Sequence, residues 1–553
     1  MPVSSATVDQ PAGASTRRTA ASLVGWCGLA LAIAFSLYVR IRLNSFPLER
    51  DEGEYAYAGQ LILHGTPPYL LAYNMKLPGT YLAYAALMAI FGQTTAGIHA
   101  GLLAVNLLSI ILLYCLSRRV FEPIAAGGAA LSFSVLSVSP AVLGMAGHAT
   151  HFVTLFAIAG ALALYRTNQS ARLASVLSSG LLFGLAFLMK QQGVFLVGFG
   201  AAYLLYLAYG RQAIARRRLP LLLGAYTAGA VLPYLLICSW LGYAGVWSRF
   251  VFWTMTYASK YVQQVPLRHA PQFFAQASRA AIGDNGPLWL MATAGAVFVL
   301  RRDPRQLARR FFMVAFGLSS LLCVLPGFLF RSHYYIVVLP AISMFAGAVC
   351  GSIQNIMAQR KVGPRTSTTA AILPLACAVV AAVVLQRQFF FSWSPEEACA
   401  RIYGSNPFIE SPEVAAYIQK NTTANQRIAI LGSEPEILFH SHRNSCTGYI
   451  YMYSLMERQP LARQMQEEMI REVETAKPPY IVFVDVNTSW LPMNDEKLIF
   501  TWIVGYLSTE YRRVGVVDIR RDGPSQYRWD DEAEGYRRSP GRSVTVYRRK
   551  SDN

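Results

Sequence analysis

The acidic residues of this mostly apolar chain are concentrated within the stretch FPLERDEGEYAYAGQLILHGTPPY at 46–69. Five of the six positions from 49 to 54 are charged, and four of these are the acids Glu49, Asp51, Glu52 and Glu54. Residues 1–391 contain only eight acids in all. Because a positioned carboxylate can accept a proton or hold a cation, acid–base or cation chemistry is expected to depend mainly on this stretch.

A purely structural role for Asp51 is the first alternative. Asp51 and Glu54 have capping-box spacing, and an amphipathic helix could follow over 52–63 with Asp51 as its N-cap. This interpretation leaves Glu52 and the local density of charge unexplained. The two roles are compatible, because a capped loop would fix a carboxylate that chemistry then uses.

The composition predicts a polytopic α-helical membrane protein. Of 553 residues, 54% are hydrophobic and 14% are charged, whereas soluble domains carry about 25% charged residues. About eleven transmembrane helices are predicted from apolar runs of spanning length, at 22–43, 96–117, 124–145, 149–165, 173–189, 192–210, 219–241, 286–300, 311–330, 334–356 and 369–388. The shorter run 78–92 predicts an interfacial or re-entrant helix.

The net charge of +19 indicates membrane topology rather than nucleic-acid binding. Lys and Arg cluster in the short breaks between apolar runs, which is the positive-inside pattern. The eleven spans bring these clusters to the cytoplasmic side, including Arg216–Arg218 and the run from Arg301 to Arg310. Two long loops, about 44–95 and 242–285, are then predicted on the outer side.

Three regions follow from this topology. Residues 1–21 are predicted to form a cytoplasmic polar arm, and 22–391 a transmembrane catalytic domain whose first helix is retained rather than cleaved as a signal peptide. Residues 392–553 predict an extracytoplasmic soluble α/β domain, with strands at 427–431, 480–485 and 543–548 and a helix over 460–475. Cys399 and Cys446 lie in this domain and could pair in an oxidising compartment or remain free.

Two further motifs follow the acidic stretch and carry a family resemblance. They are G-x-P-P-Y at 65–69 and K-x-P-G-x-Y at 76–81. An acidic pair after the first span, followed by these motifs, resembles the GT-C class of polytopic lipid-linked sugar transferases. The similarity is greatest to the dolichyl-phosphate-mannose protein mannosyltransferases and the bacterial aminoarabinose–lipid A transferases. It covers the membrane domain, is strongest over 46–121, and departs from the family where Leu77 replaces a proline.

The resemblance implies the reaction. A sugar would move from a polyprenyl-phosphate donor to an acceptor protein, lipid or glycan, with inversion at the anomeric carbon. Asp51 would be the general base, with Glu52 as a supporting carboxylate. Glu54, Tyr55 and Tyr69 are predicted to bind substrate.

Cations are needed for the departing phosphate. Lys76, Lys190 and Arg331 are the candidates, and His333, Tyr334 and Tyr335 are predicted to join Arg331 in substrate binding. The alternatives are a snorkelling anchor for Lys76 and an interfacial aromatic belt for the two tyrosines. For Lys190 and Arg331, the sequence does not distinguish a structural role from phosphate binding.

Other features of the outer face are less specific. The sequence WSRFVFWTMTYASKYVQQ in the second outer loop predicts an interfacial helix, either a lipid entrance or lid or a plain surface helix. His148 and His151 lie near the same face, where related enzymes can have an acid. No metal or other cofactor is predicted to be required, although a divalent cation is compatible with the acids.

Two other function classes were weighed. A transporter or lipid flippase would need polar residues in mid-membrane and discontinuous helices, and few such residues are present. A scaffold displaying the C-terminal domain would not need so many spans. The expected location is the bacterial inner membrane, with the active site extracytoplasmic and membrane lipids, but no nucleic acid, as partners. The sequence leaves the sugar and the acceptor undetermined.

Overall fold

A computed structural model of the chain describes residues 12–168, 171–301, 306–520 and 523–550. The first part is helical, with α1 (Ala12–Arg42), α2 (Arg50–Leu63), α3 (Gly79–Phe91), α4 (Thr95–Val120), α5 (Pro123–Ser137), α6 (Ala149–Tyr165), α7 (Leu173–Met189), α8 (Val194–Leu205), α9 (Leu219–Tyr243), α10 (Trp247–Val251), α11 (Ala258–Val262), α12 (Ala270–Ile282), α13 (Gly286–Leu300), α14 (Leu307–Leu322), α15 (Leu339–Gln359), α16 (Pro364–Leu385) and α17 (Arg387–Phe391). A π-helical turn, Phe252–Tyr257, joins α10 to α11, and a 3-10 helix, Ser332–Val337, precedes α15.

Each of the eleven predicted spans overlaps a helix, although α5 and α14 end eight residues before the predicted ends at 145 and 330. Within the described residues, seven helical segments are long and apolar enough to cross a membrane: Ala21–Arg42, Thr95–Val120, Ala149–Asn168, Gln191–Gly210, Arg216–Tyr243, Leu339–Gln359 and Pro364–Leu385. The apolar helices α3, α5 and α7 are shorter. The predicted short helix at 78–92 is therefore confirmed as a helix, α3. Residues 1–11 of the polar arm and residues 302–305 of one basic cluster, with Asp303, lie outside the described residues.

The C-terminal domain, here residues 395–549, is the predicted α/β unit. Its helices are α18 (Pro395–Tyr403), α19 (Ser411–Lys420), α20 (Pro435–Ser441), α21 (Tyr453–Met456), α22 (Ala462–Ala476), α23 (Asn487–Trp490), α24 (Leu498–Glu510) and α25 (Asp531–Glu534). Its strands are β1 (Ala429–Leu431), β2 (Tyr480–Val486), β3 (Tyr511–Asp518), β4 (Gln526–Trp529) and β5 (Arg542–Arg549). The sheet order is β1-β2-β5-β3-β4, with β1 parallel to β2 and the other pairs antiparallel.

The sequence located part of this sheet. The three predicted strands correspond to β1, β2 and β5, and the predicted helix over 460–475 corresponds to α22. β3 and β4 were not predicted. Cys399 and Cys446 are both buried free thiols, so the disulfide considered above is not formed.

The C-terminal domain packs directly on α2. A Cβ atom added at Gly53 would lie 2.6 Å from the backbone nitrogen of Glu436, so only glycine allows α2 and α20 to approach this closely. Next to this contact, Arg50 donates hydrogen bonds to the Ser433 carbonyl oxygen (2.6 Å) and to Glu434 (2.7 Å). The helix that contains the acidic stretch is therefore held between the helical bundle and the C-terminal domain.

Candidate active site

A cavity of about 480 Å³ opens where the bundle meets the C-terminal domain. Its wall combines residues from α2, from the loop before α3, from the turn after α7, from the segment Trp247–Val262, and from the loop before α15. The C-terminal domain supplies the rest. The charged and histidine side chains of the wall are Glu49, Arg50, Asp51, Lys76, His148, Lys190, Arg331, His333 and Glu457.

The start of α2 determines which acids face this cavity. Glu49 is the N-cap, and its side chain accepts a hydrogen bond from the Glu52 backbone N–H at 3.1 Å. The alternative in which Asp51 caps the helix is therefore wrong, because α2 begins two residues earlier, at Arg50. Asp51 and Glu52 then lie in the first turn, where negative charge is favourable, and the 100° step between them directs them to different surroundings.

Asp51 is held by a lysine on the cavity wall. Lys76 Nζ lies 2.8 Å from Asp51 Oδ1 and 2.6 Å from Glu54 Oε2. Burial alone would raise the pKa of Asp51, but Lys76 and the neighbouring His148 and His333 hold that pKa well below its ordinary value. Asp51 is therefore ionised at neutral pH, and Lys76 is shared between two carboxylates.

Glu52 and Glu54 are directed into the protein. Glu52 Oε1 accepts hydrogen bonds from the Gly147 N–H at 2.6 Å and pairs with His99 Nε2 at 3.1 Å, so it ties α2 to the loop before α6 and to α4. Glu54 also accepts a hydrogen bond from the Tyr81 hydroxyl at 2.6 Å. Both side chains are fully buried, and neither lines the cavity.

Lys190 and Arg331 are the cavity cations without a carboxylate partner. Lys190 follows α7, and its Nζ lies 3.6 Å from the ring centroid of Tyr334. Arg331 is exposed to the cavity. Within the described chain, neither residue forms an ion pair. Burial lowers the pKa of Lys190 to about 7, so a bound anion would favour its protonated form, whereas Arg331 is always charged. Both groups can therefore accept an anion without displacing an acid.

A histidine pair adjoins Asp51. The rings of His148 and His333 stack with centroids 4.0 Å apart, and one ligand atom from each of Asp51, His148 and His333 lies within 4.8 Å of the others. Both nitrogens of His148 are buried without a hydrogen-bond partner. Two imidazoles and one carboxylate form a donor set that Zn²⁺ accepts, so these three residues fit a divalent metal ion once the ligand atoms draw together.

The remaining predicted residues divide between the cavity and the interior. Tyr55 and Tyr334 line the cavity, and the Tyr55 ring lies 4.5 Å from Lys76 Nζ. Tyr69 is buried, and its hydroxyl donates to the Lys76 carbonyl oxygen at 2.7 Å, which fixes the loop that contains this lysine. Tyr335 contacts Ser278 and lines a separate apolar cavity.

Sequence reasoning missed the contribution of the C-terminal domain. Tyr451, Tyr453 and Glu457 line the cavity, and the Tyr451 hydroxyl donates to Asp51 Oδ1 at 3.1 Å. The run YIYMYSLMER at 449–458 contains these residues, and its alternating tyrosines were the available signal. The second outer-loop segment also contributes, through Trp253, Tyr257 and Tyr261.

The chain is similar to known proteins both in sequence and in fold. Residues 76–237 match the dolichyl-phosphate-mannose-protein mannosyltransferase family. The undecaprenyl phosphate-alpha-4-amino-4-deoxy-L-arabinose arabinosyl transferase of Pseudomonas aeruginosa (strain UCBPP-PA14) is 32% identical over 221 residues, 38% of this chain and 38% of that protein. The match thus spans well under half the length of this relative.

Solved structures extend the similarity to nearly the whole chain. ArnT from Cupriavidus metallidurans, bound to undecaprenyl phosphate, has a TM-score of 0.54 at 13% identity and covers 97% of this chain and 98% of its own. The Archaeoglobus fulgidus oligosaccharyltransferase, in complex with Zn and sulfate, has a TM-score of 0.55 at 14% identity, over 90% of this chain and 72% of its own. In sequence over part of its length, and in fold over almost all of it, the chain resembles the GT-C polytopic glycosyltransferases.

Proposed function

We propose that this protein is a membrane glycosyltransferase that moves a sugar from a polyprenyl-phosphate donor to an acceptor hydroxyl or amine. One observation carries the proposal: an ionised carboxylate, Asp51, shares a cavity with two basic side chains, Arg331 and Lys190, that have no carboxylate partner among the described residues. Arg331 is a permanent cation, and a bound phosphate would favour the protonated form of Lys190, whose pKa burial lowers to about 7. The similarity to transferases whose names include an undecaprenyl-phosphate sugar supports the donor class.

The reaction requires one proton acceptor and one anion site. The acceptor oxygen or nitrogen attacks the anomeric carbon while the bond from that carbon to the phosphate oxygen breaks. The bonding electron pair leaves with the polyprenyl phosphate, and the acceptor proton passes to Asp51. Attack opposite to the leaving phosphate inverts the anomeric centre.

Lys190 and Arg331 would receive the departing phosphate. Fixed positive groups at the leaving oxygen stabilise the charge that develops there in the transition state. Lys76 would contribute only by loosening its contact with Asp51 or Glu54. Such a shift would also raise the basicity of Asp51, since Lys76 is the main charge that holds its pKa down.

Buried neighbours would position these groups. Glu52 would fix the start of α2 through Gly147 and His99, and Tyr69 would fix the Lys76 loop. Glu54 would hold Lys76, while Tyr55 and Tyr334 would pack against the substrate. His333 would stack on His148 beside Asp51. Tyr335, which lies outside the cavity, would support the turn before α15.

We propose that the reaction requires no metal. A divalent ion held by Asp51, His148 and His333 would supply Lewis-acid stabilisation of an oxygen anion. Asp51 would then be a ligand with less freedom to accept a proton. The direct contact of Lys76 with Asp51 favours the metal-free arrangement, because the ammonium group already neutralises this carboxylate.

The positive-inside pattern supports an extracytoplasmic orientation of the cavity and the C-terminal domain. The proposed location is the bacterial inner membrane, and residues 22–391 are proposed as the catalytic unit. The acceptor class is protein, lipid or glycan.

Turnover tests the function directly. The purified full-length protein is incubated with radiolabelled polyprenyl-phosphate sugars and candidate acceptors, and label transfer is compared between the wild type and Asp51→Asn. Loss of a general base predicts a rate roughly 10²–10⁴-fold lower in the variant. The matched control is Asp284→Asn, an exposed acid outside the cavity, which should retain wild-type transfer. Unchanged transfer by Asp51→Asn would refute the base assignment.

A further inference from the structure

Glu457 is a cavity carboxylate that the proposed reaction does not use. It follows α21 in the C-terminal domain and lines the same cavity as Asp51, although only 5% of its surface is exposed. Among the described residues it forms no ion pair. A buried carboxylate without a counter-ion is unfavourable, so its presence at a binding cavity needs an explanation.

Two parts of the chain hold this side chain in place. The Tyr257 hydroxyl, from the second outer-loop segment, donates a hydrogen bond to Glu457 Oε2. The Glu457 backbone carbonyl accepts hydrogen bonds from the Gln459 N–H at 2.9 Å and from Asn494 Nδ2 at 3.1 Å. The backbone bonds fix the main chain at Glu457, and the Tyr257 hydroxyl holds one carboxylate oxygen. The Gln264 side chain also faces this carboxylate.

Its electrostatic surroundings are unlike those of Asp51. Burial raises the pKa of Glu457 to about 7, against the hydrogen bond from Tyr257 and the nearby charge of Arg331. A carboxylate in this state gains most from a ligand group that donates a hydrogen bond, and most of all from an ammonium group. A phosphate oxygen, by contrast, would repel it.

We infer that Glu457, positioned by Tyr257, forms a subsite that accepts a hydrogen bond from a hydroxyl or amino group on the ring of the transferred sugar. The inference rests on the proposed function. It also makes the C-terminal domain part of the donor site and a determinant of sugar specificity.

The location of Glu457 favours the sugar over the other parts of the reactants. Arg331, a proposed phosphate ligand, is close enough to Glu457 to affect its pKa. In the donor, the sugar ring is bonded directly to the phosphate, so a group next to the phosphate site reaches the ring first. The polyprenyl tail has no hydrogen-bond donor for this carboxylate.

The test compares a lipid phosphate with and without its sugar. Three probes are used with the full-length protein in detergent: undecaprenyl phosphate, and the same lipid carrying either 4-amino-4-deoxy-L-arabinose or mannose. The wild type identifies which of the two sugar-bearing lipids binds more tightly. Glu457→Ala should lower the affinity for that lipid by about tenfold, which is the usual effect of losing a hydrogen bond to a charged group. Glu457→Gln, which keeps one carbonyl oxygen, should have a smaller effect. Binding of sugar-free undecaprenyl phosphate should change less than about twofold in both variants, since the subsite does not touch phosphate.

The matched control is Glu468→Gln, because Glu468 accepts a hydrogen bond from the Tyr449 hydroxyl at 2.8 Å but lies outside the cavity. Its affinity for all three probes should equal that of the wild type. Tyr257→Phe should weaken binding of the sugar-bearing lipid in the same direction as Glu457→Gln.

Three results would overturn the inference. Equal losses for sugar-free and sugar-bearing lipid would assign Glu457 to the phosphate site or to the fold. Unchanged affinities would leave the carboxylate without a role in the donor site. A wild type that binds undecaprenyl phosphate but gains nothing from either sugar would exclude a sugar subsite, whereas failure to bind undecaprenyl phosphate at all would refute the proposed function itself.

Discussion

The basic residues that share the cavity wall with Asp51 differ in whether their charge is paired. Arg50, the preceding residue, donates hydrogen bonds to Ser433, Glu434, Tyr453 and Asn406 of the C-terminal domain, and its side chain is 8% exposed. Lys190 and Arg331, across the cavity, have no carboxylate partner among the described residues. The first group is satisfied by the protein, and the second is available to a ligand.

This difference separates a structural ion pair from a binding site. A buried ion pair whose hydrogen bonds are all formed cannot bind a further anion. Removing one partner leaves the other charge buried and unpaired, which destabilises the fold. A cation at a cavity with only an aromatic face beside it still gains from a phosphate. Position in the sequence does not make this distinction, because the partner of Arg50 is Glu434, which lies 384 positions away in the chain.

Removing the counter-ion of Arg50 should have the largest effect. Glu434→Ala leaves a buried guanidinium group unpaired, so we expect the free energy of unfolding to fall by about 3–5 kcal/mol. Thermal unfolding in detergent measures this loss. Glu467→Ala breaks an exposed ion pair with Arg463 (62% and 44% exposed) and should change stability by less than about 1 kcal/mol. Similar effects of the two substitutions would contradict the structural role given to Arg50.

Ionisation of Glu457 should make the free energy of unfolding fall as the pH rises. Burial raises the pKa of Glu457 from its ordinary value of 4.5 to about 7, so the folded state binds its proton more tightly than the unfolded state. The resulting penalty on folding is absent below the unfolded pKa, grows as pH rises toward 7, and is complete above it.

Glu457→Gln should therefore be more stable than the wild type at pH 8, by on the order of 2–3 kcal/mol, and equal to it near pH 4.5. Unfolding temperatures at the two pH values test this. Glu532→Gln, at an exposed position, should show no such difference. Lower stability of Glu457→Gln at pH 8 would show that burial does not disfavour this carboxylate.

The unpaired cations should affect binding without affecting the fold. Lys190→Gln and Arg331→Gln each remove one charged partner of the proposed phosphate. Affinity for undecaprenyl phosphate should fall by about tenfold or more in each variant. The unfolding temperature should stay near that of the wild type, in contrast to Glu434→Ala. A large loss of stability with unchanged lipid affinity would place these residues with Arg50 instead.

Tyr451→Phe should have a smaller effect on the rate. It removes the hydroxyl that donates to Asp51 Oδ1 at 3.1 Å and leaves the ring in place. Lys76 still contacts the same oxygen of Asp51 in this variant, so the net loss should be about 1 kcal/mol and transfer should slow by roughly fivefold. Steady-state rates against acceptor concentration would detect the change. Tyr506→Phe, in α24 outside the cavity, is the control and should transfer sugar at the wild-type rate.

Chelation should have no effect on activity. We expect EDTA treatment of the purified protein, followed by removal of the chelator, to leave sugar transfer unchanged, because Lys76 already neutralises Asp51. Loss of activity that Zn²⁺ or Mn²⁺ restores would instead support metal binding by Asp51, His148 and His333.

Apolar length predicted most of the helical part of the fold. All eleven predicted spans overlap helices, seven described helices are of spanning length, and the two spans 149–165 and 173–189 match α6 and α7 at both ends. The sheet was only partly predicted. β3 and β4 were missed, and the four half-buried residues of β4 give this short strand a weak apolar pattern.

The candidate site was predicted unevenly. Asp51, Lys76, Lys190 and Arg331 converge on one cavity as expected. Glu52 and Tyr69, in contrast, lie in the interior. The start of α2 explains the position of Glu52, because a helix that begins at Arg50 instead of Glu52 changes which acid is the cap and which faces outward. Tyr69 lies beyond this helix and is buried by its contact with the Lys76 loop. Tyr451 and Glu457 were missed because they lie 400 or more positions from Asp51 in the chain.

The sequence by itself determined the run of apolar helices and the concentration of acids after the first of them. These properties are local, since they depend on hydropathy and composition over short windows. The tertiary structure alone decided which charges are paired and which are free. Pairing depends on distances of a few ångströms between side chains from distant segments, and no local pattern fixes those distances.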